Sequence, residues 1–117
     1  MIGKYRDLSI HYLQNAFEFI DAGDAEKASE FLWGSMAEAL KAVAACKGVK
    51  IIRHWEIGAY AESLAKERED EAITDVFGKA SKLHSNFHEG ELSMEQVSAY
   101  AQRIRSEVDK LLRLIPS

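Results

Sequence analysis

Residues that interrupt helices are rare in this chain, and this scarcity constrains the fold more than any other feature. The only proline is Pro116, and no stretch alternates apolar and polar residues as a half-buried strand requires. Apolar residues recur instead at intervals of three and four, the spacing of one face of a helix. The sequence therefore predicts an all-α fold, an up-and-down bundle of four to five antiparallel helices in a single domain over residues 1–117.

Gly23 and Asp24 separate the first two predicted helices, which cover residues 5–22 and 25–47. Glycine tolerates the left-handed conformation that ends a helix, and aspartate is a favoured N-cap for the next one. A connection this short predicts an antiparallel hairpin. The stripes expected to be buried are Ile10, Leu13, Phe17 and Ile20 in the first helix and Ala28, Leu32, Met36, Ala39, Leu40 and Val43 in the second.

The second half of the chain predicts three more helices. After a connector at 49–53, the third carries Trp55 as a core anchor and ends in the charged run 66–71, expected to be a solvated turn. The fourth covers 70–87, and the fifth begins at a capping box, Ser93-Met-Glu-Gln. The seam of the fifth helix, expected to be largely buried, is Val97, Ala101, Ile104, Val108, Leu111 and Ile115.

Composition excludes several classes of protein. The net charge of -4 argues against a protein that wraps duplex DNA, because neutralising phosphates requires a basic surface. No apolar run approaches the roughly 20 residues that span a bilayer, and the N-terminus has no signal-like core. A single cysteine cannot form an intramolecular disulfide. We therefore expect a cytoplasmic protein that does not enter membranes.

The most unusual chemistry lies at the end of the fourth predicted helix, where Lys82, His84, Asn86 and His88 follow one another closely. His84 and His88 are four residues apart, so both imidazoles should project from one helix face. Such a face could hydrogen-bond a phosphate, do acid/base work or bind a metal. A metal would need a third ligand, for which Glu89 or Glu91 are candidates.

The more common explanation for such histidines is a structural role, because the helix dipole favours positive charge at a helix C-terminus. We expect neither a metal nor a cofactor.

Two other positions are candidate ligand-binding residues. Arg53 and His54 precede Trp55 at the start of the third helix, where they could hold a phosphate or stack on a base, or simply be solvated. Glu38 lies on an alanine-rich face of the second helix, and if buried it needs a partner such as Lys82 or His84. Trp33, on the same helix, is expected in the core or at an interface.

The pattern Ala-Gly-Asp-x-x-x-Ala-Ser-Glu-x-Leu-Trp-Gly-x-x-Ala-Glu-Ala at 22–39, with Leu-His-Ser-Asn-Phe-His-Glu-Gly at 83–90, resembles the archaeal PaREP family. That family looks like a divergent branch of the HEPN (higher eukaryotes and prokaryotes nucleotide-binding) helical domains. The resemblance implies a homodimer and, in active HEPN ribonucleases, an arginine followed by a histidine on a late helix. His88 would match the histidine, but Lys82 or His84 stands where the arginine belongs. Lysine lacks the bidentate fork that grips a phosphate.

Three hypotheses follow. The preferred one is a homodimeric HEPN-like binding or interaction module, self-associating through helices that include Phe87 or Trp33, with a polar pocket for a nucleotide or RNA and no strong catalysis. The alternative is a weak, metal-independent endoribonuclease in which His88 works with Lys82 or His84. A third is a protein-interaction domain similar to a tetratricopeptide hairpin, although only one such unit is visible in the sequence.

Overall fold

The computed structural model describes residues 2–89 and 92–116, with side chains described for all of these except 86–89. Within this part of the chain there are five helices and no strand, so the predicted all-α bundle is confirmed. The helices are α1 (Ile2–Asp21), α2 (Ala25–Cys46), α3 (His54–Arg68), α4 (Ala72–Glu89) and α5 (Met94–Leu112).

The α1/α2 hairpin forms as its turn residues predict. Gly23 adopts a φ of +80°, and the Asp24 carboxylate accepts a hydrogen bond from the Lys27 N–H at 3.0 Å. Across the hairpin, the Ser9 hydroxyl donates to the Ser35 carbonyl at 2.7 Å and the Ser35 hydroxyl donates to the Ser9 carbonyl at 2.8 Å. Both serines are fully buried, and this reciprocal pair lets the two backbones approach closely.

α2 is the central helix, because it contacts each of the other four. Its residues from Ala28 to Val43 that were predicted to be buried are all buried. In a tetratricopeptide array each repeat contacts only its neighbours, so a hairpin wrapped on three sides by α3, α4 and α5 differs from that arrangement.

α3 runs in the same direction as α2, so the predicted up-and-down order, with each helix antiparallel to the one before it, is wrong at this step. His54, at the start of α3, lies against Trp33 near the middle of α2, whereas Glu67, at the end of α3, pairs with Lys47 just beyond the end of α2. The non-helical connector at 48–53 therefore leads the chain back along α2 before α3 begins. This returning connector positions the start of α3 beside the middle of the central helix.

α4 and α5 are antiparallel, and charged side chains join the start of α4 to the second half of α5. Lys110 pairs with Asp70 at 2.6 Å, near the start of α4, and Arg103 pairs with Asp75 at 3.2 Å. The capping box that begins α5 is confirmed by the reciprocal bonds between Ser93 and Gln96. The seam of α5 is buried as predicted at five positions, Val97, Ala101, Ile104, Val108 and Leu111, and Ile115 is partly buried.

Two local predictions were wrong. α1 buries only Ser9 and Ala16 fully, because it faces α2 through small residues, and its predicted core stripe is left partly covered, with Ile10 41% exposed. The charged run is not a turn throughout, because α3 continues to Arg68 before Glu69 takes a left-handed φ of 52°.

None of the helices in the described part of the chain combines the length and apolar character needed to cross a membrane.

Candidate functional site

Three rings from three helices meet at one place on the bundle, and we call them the imidazole–tryptophan cluster: Trp33 of α2, His54 of α3 and His84 of α4. The Trp33 ring centroid lies 5.1 Å from that of His54 and 5.0 Å from that of His84. The two imidazoles are 5.6 Å apart, at an interplanar angle of 32°. Trp33 is buried, His54 is exposed and the His84 side chain is 34% exposed, so the cluster is open to solvent on its histidine side.

The fold explains this meeting. Trp33 and His84 face each other because α2 and α4 pack together, and His54 joins them because the connector before α3 returns along α2. Phe77, two turns before His84 on α4, packs against the Trp33 ring, and the two ring centroids are 5.7 Å apart. A Cβ on Gly58 would lie 3.2 Å from the Phe77 ring, so this glycine lets α3 approach α4 closely.

A carboxylate borders the cluster. Glu30 of α2 places Oε2 3.2 Å from His84 Nδ1. This contact favours the tautomer that carries its proton on Nδ1 and donates it to the carboxylate. Glu30 was not predicted from the sequence as a site residue, although its position one turn before Trp33 puts both side chains on one face of α2.

Arg53 and Trp55 flank His54 at the start of α3, and both are exposed. Trp55 has 68% of its surface exposed, so the prediction that it anchors the core was wrong. The first turn of α3 is held by Glu56, whose carboxylate accepts from the Arg53 N–H at 2.7 Å. Ile52, just before Arg53, is 75% exposed. A cation and two large apolar side chains, all exposed, thus adjoin His54 in the sequence.

Glu38 lies outside this group. Its nearest cation is Lys41, 3.6 Å from Oε2, and that oxygen has no hydrogen bond among the described residues. The expectation that Lys82 or His84 would pair with Glu38 was wrong, since His84 turns toward Glu30 instead. Lys82 is exposed on α4.

The remaining predicted site residues are only partly visible. α4 includes the backbone of Asn86 and His88, but their side chains lie outside the described residues, as does Phe87 of the expected dimer contact. Glu91, a candidate third metal ligand, lies there too. Among the side chains that the structure describes, no group of three or more histidine, cysteine or acidic residues is arranged to hold a metal ion.

Several shifted pKa values lie away from the cluster, at the α4/α5 boundary. Glu107 is 4% exposed and burial raises the pKa of its carboxyl, although a hydrogen bond from Lys110 opposes the shift. Lys110 also donates to Asp70, and this hydrogen bond lowers the pKa of Asp70. These groups are bound to one another, which indicates a structural role.

Comparison with known proteins gives one match. The profile of the archaeal PaREP1/PaREP8 family matches residues 4–108, which is most of the chain. No curated protein and no solved structure matched it. This confirms the family resemblance carried by the residues at 22–39 and 83–90: the chain belongs to the archaeal PaREP1/PaREP8 family.

Proposed function

We propose that this protein is a homodimeric HEPN-like module that binds single-stranded RNA or a nucleotide at the imidazole–tryptophan cluster. The observation that carries the proposal is the meeting of His54 and His84, from separate helices, at 5.6 Å against the face of Trp33. Two histidines gathered by a returning connector, and left open to solvent, form a site that helix packing alone does not require.

The flanking residues supply the two interactions that single-stranded nucleic acid needs. Trp55 presents an exposed ring on which a base can stack, an interaction worth about 1–3 kcal/mol per base. Arg53 presents a planar fork that can grip a phosphate through two hydrogen bonds. His54 lies between them in sequence, where its imidazole can donate to a phosphate oxygen or stack.

The charges near the cluster favour a short, single-stranded ligand. Glu30 and Glu56 place carboxylates beside His84 and Arg53, and the chain as a whole carries -4. A ligand with many phosphates would be repelled by this background, whereas one or two phosphates can be held locally by Arg53 and the histidines. We therefore expect a nucleotide or a short RNA segment rather than a duplex.

The departure from the active HEPN pattern supports binding without strong catalysis. The sequence has Lys82 or His84 where an arginine would precede His88, so the fork that would steady a phosphate in a transition state is missing from that position.

A second candidate, a weak metal-independent endoribonuclease, is favoured by the same pair of imidazoles. One histidine would accept the proton of a ribose 2′-hydroxyl as its oxygen attacks phosphorus. The other would donate a proton to the departing 5′-oxygen, so the pair takes up one proton and releases one. His54 and His84 are close enough to flank one phosphodiester. In the alternative pairing, His88 would work with Lys82 or with His84.

The binding proposal is tested by fluorescence anisotropy with a labelled single-stranded RNA of about ten nucleotides. Replacing His54 or Trp55 by alanine should weaken binding about tenfold or more. The matched control is His11→Ala, because His11 is an exposed histidine on α1 whose described ring contact is with Tyr12 and not with the cluster. Equal loss in His54→Ala and His11→Ala, or no binding by the parent protein, would contradict the proposal.

The nuclease candidate is tested by incubating the same RNA with the protein in EDTA. Efficient cleavage that is abolished by His54→Ala, His84→Ala or His88→Ala would replace the binding module by the nuclease. Binding without cleavage would retain the binding module.

A further inference from the structure

A long groove is lined by α1 and α5, the two helices that contribute no ring to the imidazole–tryptophan cluster. It has a volume of about 830 Å³ and continues past Leu13 and Arg105 into a second depression that reaches Asp21. Along α1 it therefore extends from Arg6 to Asp21, or about 22 Å at the rise of an α-helix. That length fits about four turns of another helix.

The floor of this groove is the stripe of α1 that the sequence predicts to be buried. Ile10, Leu13 and Phe17 line it at intervals of three and four, yet Ile10 is 41% exposed and the other two are only partly buried. A stripe with coiled-coil spacing that its own bundle leaves only partly covered is suited to a second helix.

Charge is distributed unevenly along the groove. Arg6 of α1 lines one end together with Arg113 and Asp109 of α5, which pair with each other. Arg105 lies near the middle, with its guanidinium 4.9 Å from the Phe17 ring centroid, and Glu18 and Asp21 line the other end. A helix that fits must carry acidic residues opposite the arginine end and basic residues opposite the acidic end.

We infer that the occupant is α1 of a second copy of this chain, laid antiparallel across a two-fold axis between Leu13 and Gln14. This arrangement places Arg6 against Asp21 of the partner subunit and Ile10 against Phe17 of the partner subunit. Each contact occurs twice, as an isologous interface requires. α1 supplies both the apolar stripe and the reversed charges that the groove demands, which an unrelated helix would have to match independently.

The inference takes only the homodimer from the proposed function and assigns its interface to a face remote from the imidazole–tryptophan cluster. It also replaces the expected contact through Trp33, since that ring is 94% covered within its own protomer. Each dimer would therefore carry two clusters that are free of the interface.

Charge reversal along α1 tests the pairing by sedimentation equilibrium. The parent protein should reach twice its 13.1 kDa mass at high micromolar concentration. Arg6→Glu and Asp21→Arg should each weaken the dimer about tenfold, since like charges then meet twice, and the double variant should return to within about threefold of the parent. Both changes suit the α1 dipole, so a weakened dimer would not reflect a weakened helix.

Ile10→Asp should weaken the dimer about a hundredfold by placing a charge on the apolar stripe. The matched control is Ile52→Asp, at a more exposed isoleucine outside the groove, which should leave the dimer unchanged. Circular dichroism would verify that each variant folds.

The outcomes separate the interface from the homodimer itself. A parent protein that stays monomeric would overturn both. A dimer that ignores Ile10→Asp, or a double variant no better than the single ones, would overturn this interface and leave the homodimer standing. Loss of RNA binding in His54→Ala has no bearing on either result.

Discussion

The α4/α5 boundary and the imidazole–tryptophan cluster each bring side chains from different helices together, and they differ in what those side chains contact. At the boundary, Asp70, Lys110 and Glu107 bind one another over a fully buried apolar seam. At the cluster, His54 and its neighbour Trp55 project into solvent. Charged groups that bind one another are already occupied, whereas rings gathered at a surface remain available to a ligand.

The largest expected effect tests whether the apolar seam beneath the α4/α5 boundary is essential for stability. Ile104 is fully buried, so Ile104→Asp places an unpaired charge among apolar neighbours and should cost more than about 4 kcal/mol of unfolding free energy. Urea denaturation would measure the loss. Gln102→Asp, at an exposed position on the same helix, should change stability by less than about 0.5 kcal/mol. A stable Ile104→Asp would contradict the buried seam.

Asp70 sharpens the comparison, because it both caps the start of α4 and pairs with Lys110. Its carboxylate accepts from the Ala72 N–H at 3.1 Å, so Asp70→Ala should cost about 1.5 kcal/mol at neutral pH. Since the folded-state pKa of Asp70 is lowered, this stability is present above the ordinary aspartate value and lost as the pH falls through the folded one.

The loss in Asp70→Ala should therefore shrink in denaturation at successively lower pH below about 4. Glu71→Ala, an exposed neighbour, is the control. A loss in Asp70→Ala that is independent of pH would show that the ion pair contributes nothing.

Glu107 should behave oppositely. Burial raises its folded-state pKa, so its contribution to stability is present below the ordinary glutamate value and lost as the pH rises through the folded one. At neutral pH the buried charge opposes folding, so Glu107→Gln should raise the unfolding free energy. The gain should vanish near pH 4. Thermal denaturation at both pH values would show it, and a destabilised variant at neutral pH would mean that Lys110 outweighs burial.

Trp55 should give the smallest effect on stability. Because its ring is mostly exposed, Trp55→Ala should change the unfolding free energy by less than about 0.5 kcal/mol while weakening RNA binding. A loss above about 1.5 kcal/mol would show that Trp55 is a structural residue and that the two regions are alike.

Local patterns predicted much of the fold. Asp24 and the Ser93 capping box mark helix starts because a side chain within three residues satisfies the first free N–H groups, and such signals depend on neighbouring residues alone. The α5 seam was predicted for the same reason, since a repeat of three and four fixes which face is apolar.

The candidate site was predicted only in pieces. Arg53, His54 and His84 were identified by residue type. The meeting of the two histidines at Trp33, however, depends on the direction of the connector at 48–53, which no local spacing encodes. Trp55 was misplaced because composition favours burial of a large ring, whereas tertiary packing turned it outward. Glu30 was missed because its partner is distant in sequence.

The most direct test of ligand binding at the cluster is an NMR titration of the indole N–H groups with a short single-stranded RNA. The chain has two tryptophans, so Trp55→Phe assigns both signals. Binding at the cluster predicts a large shift of the exposed Trp55 signal and a smaller one for buried Trp33, together with shifts of the His54 and His84 ring signals. Saturation with RNA that leaves both indoles and both imidazoles unmoved would contradict the proposed site.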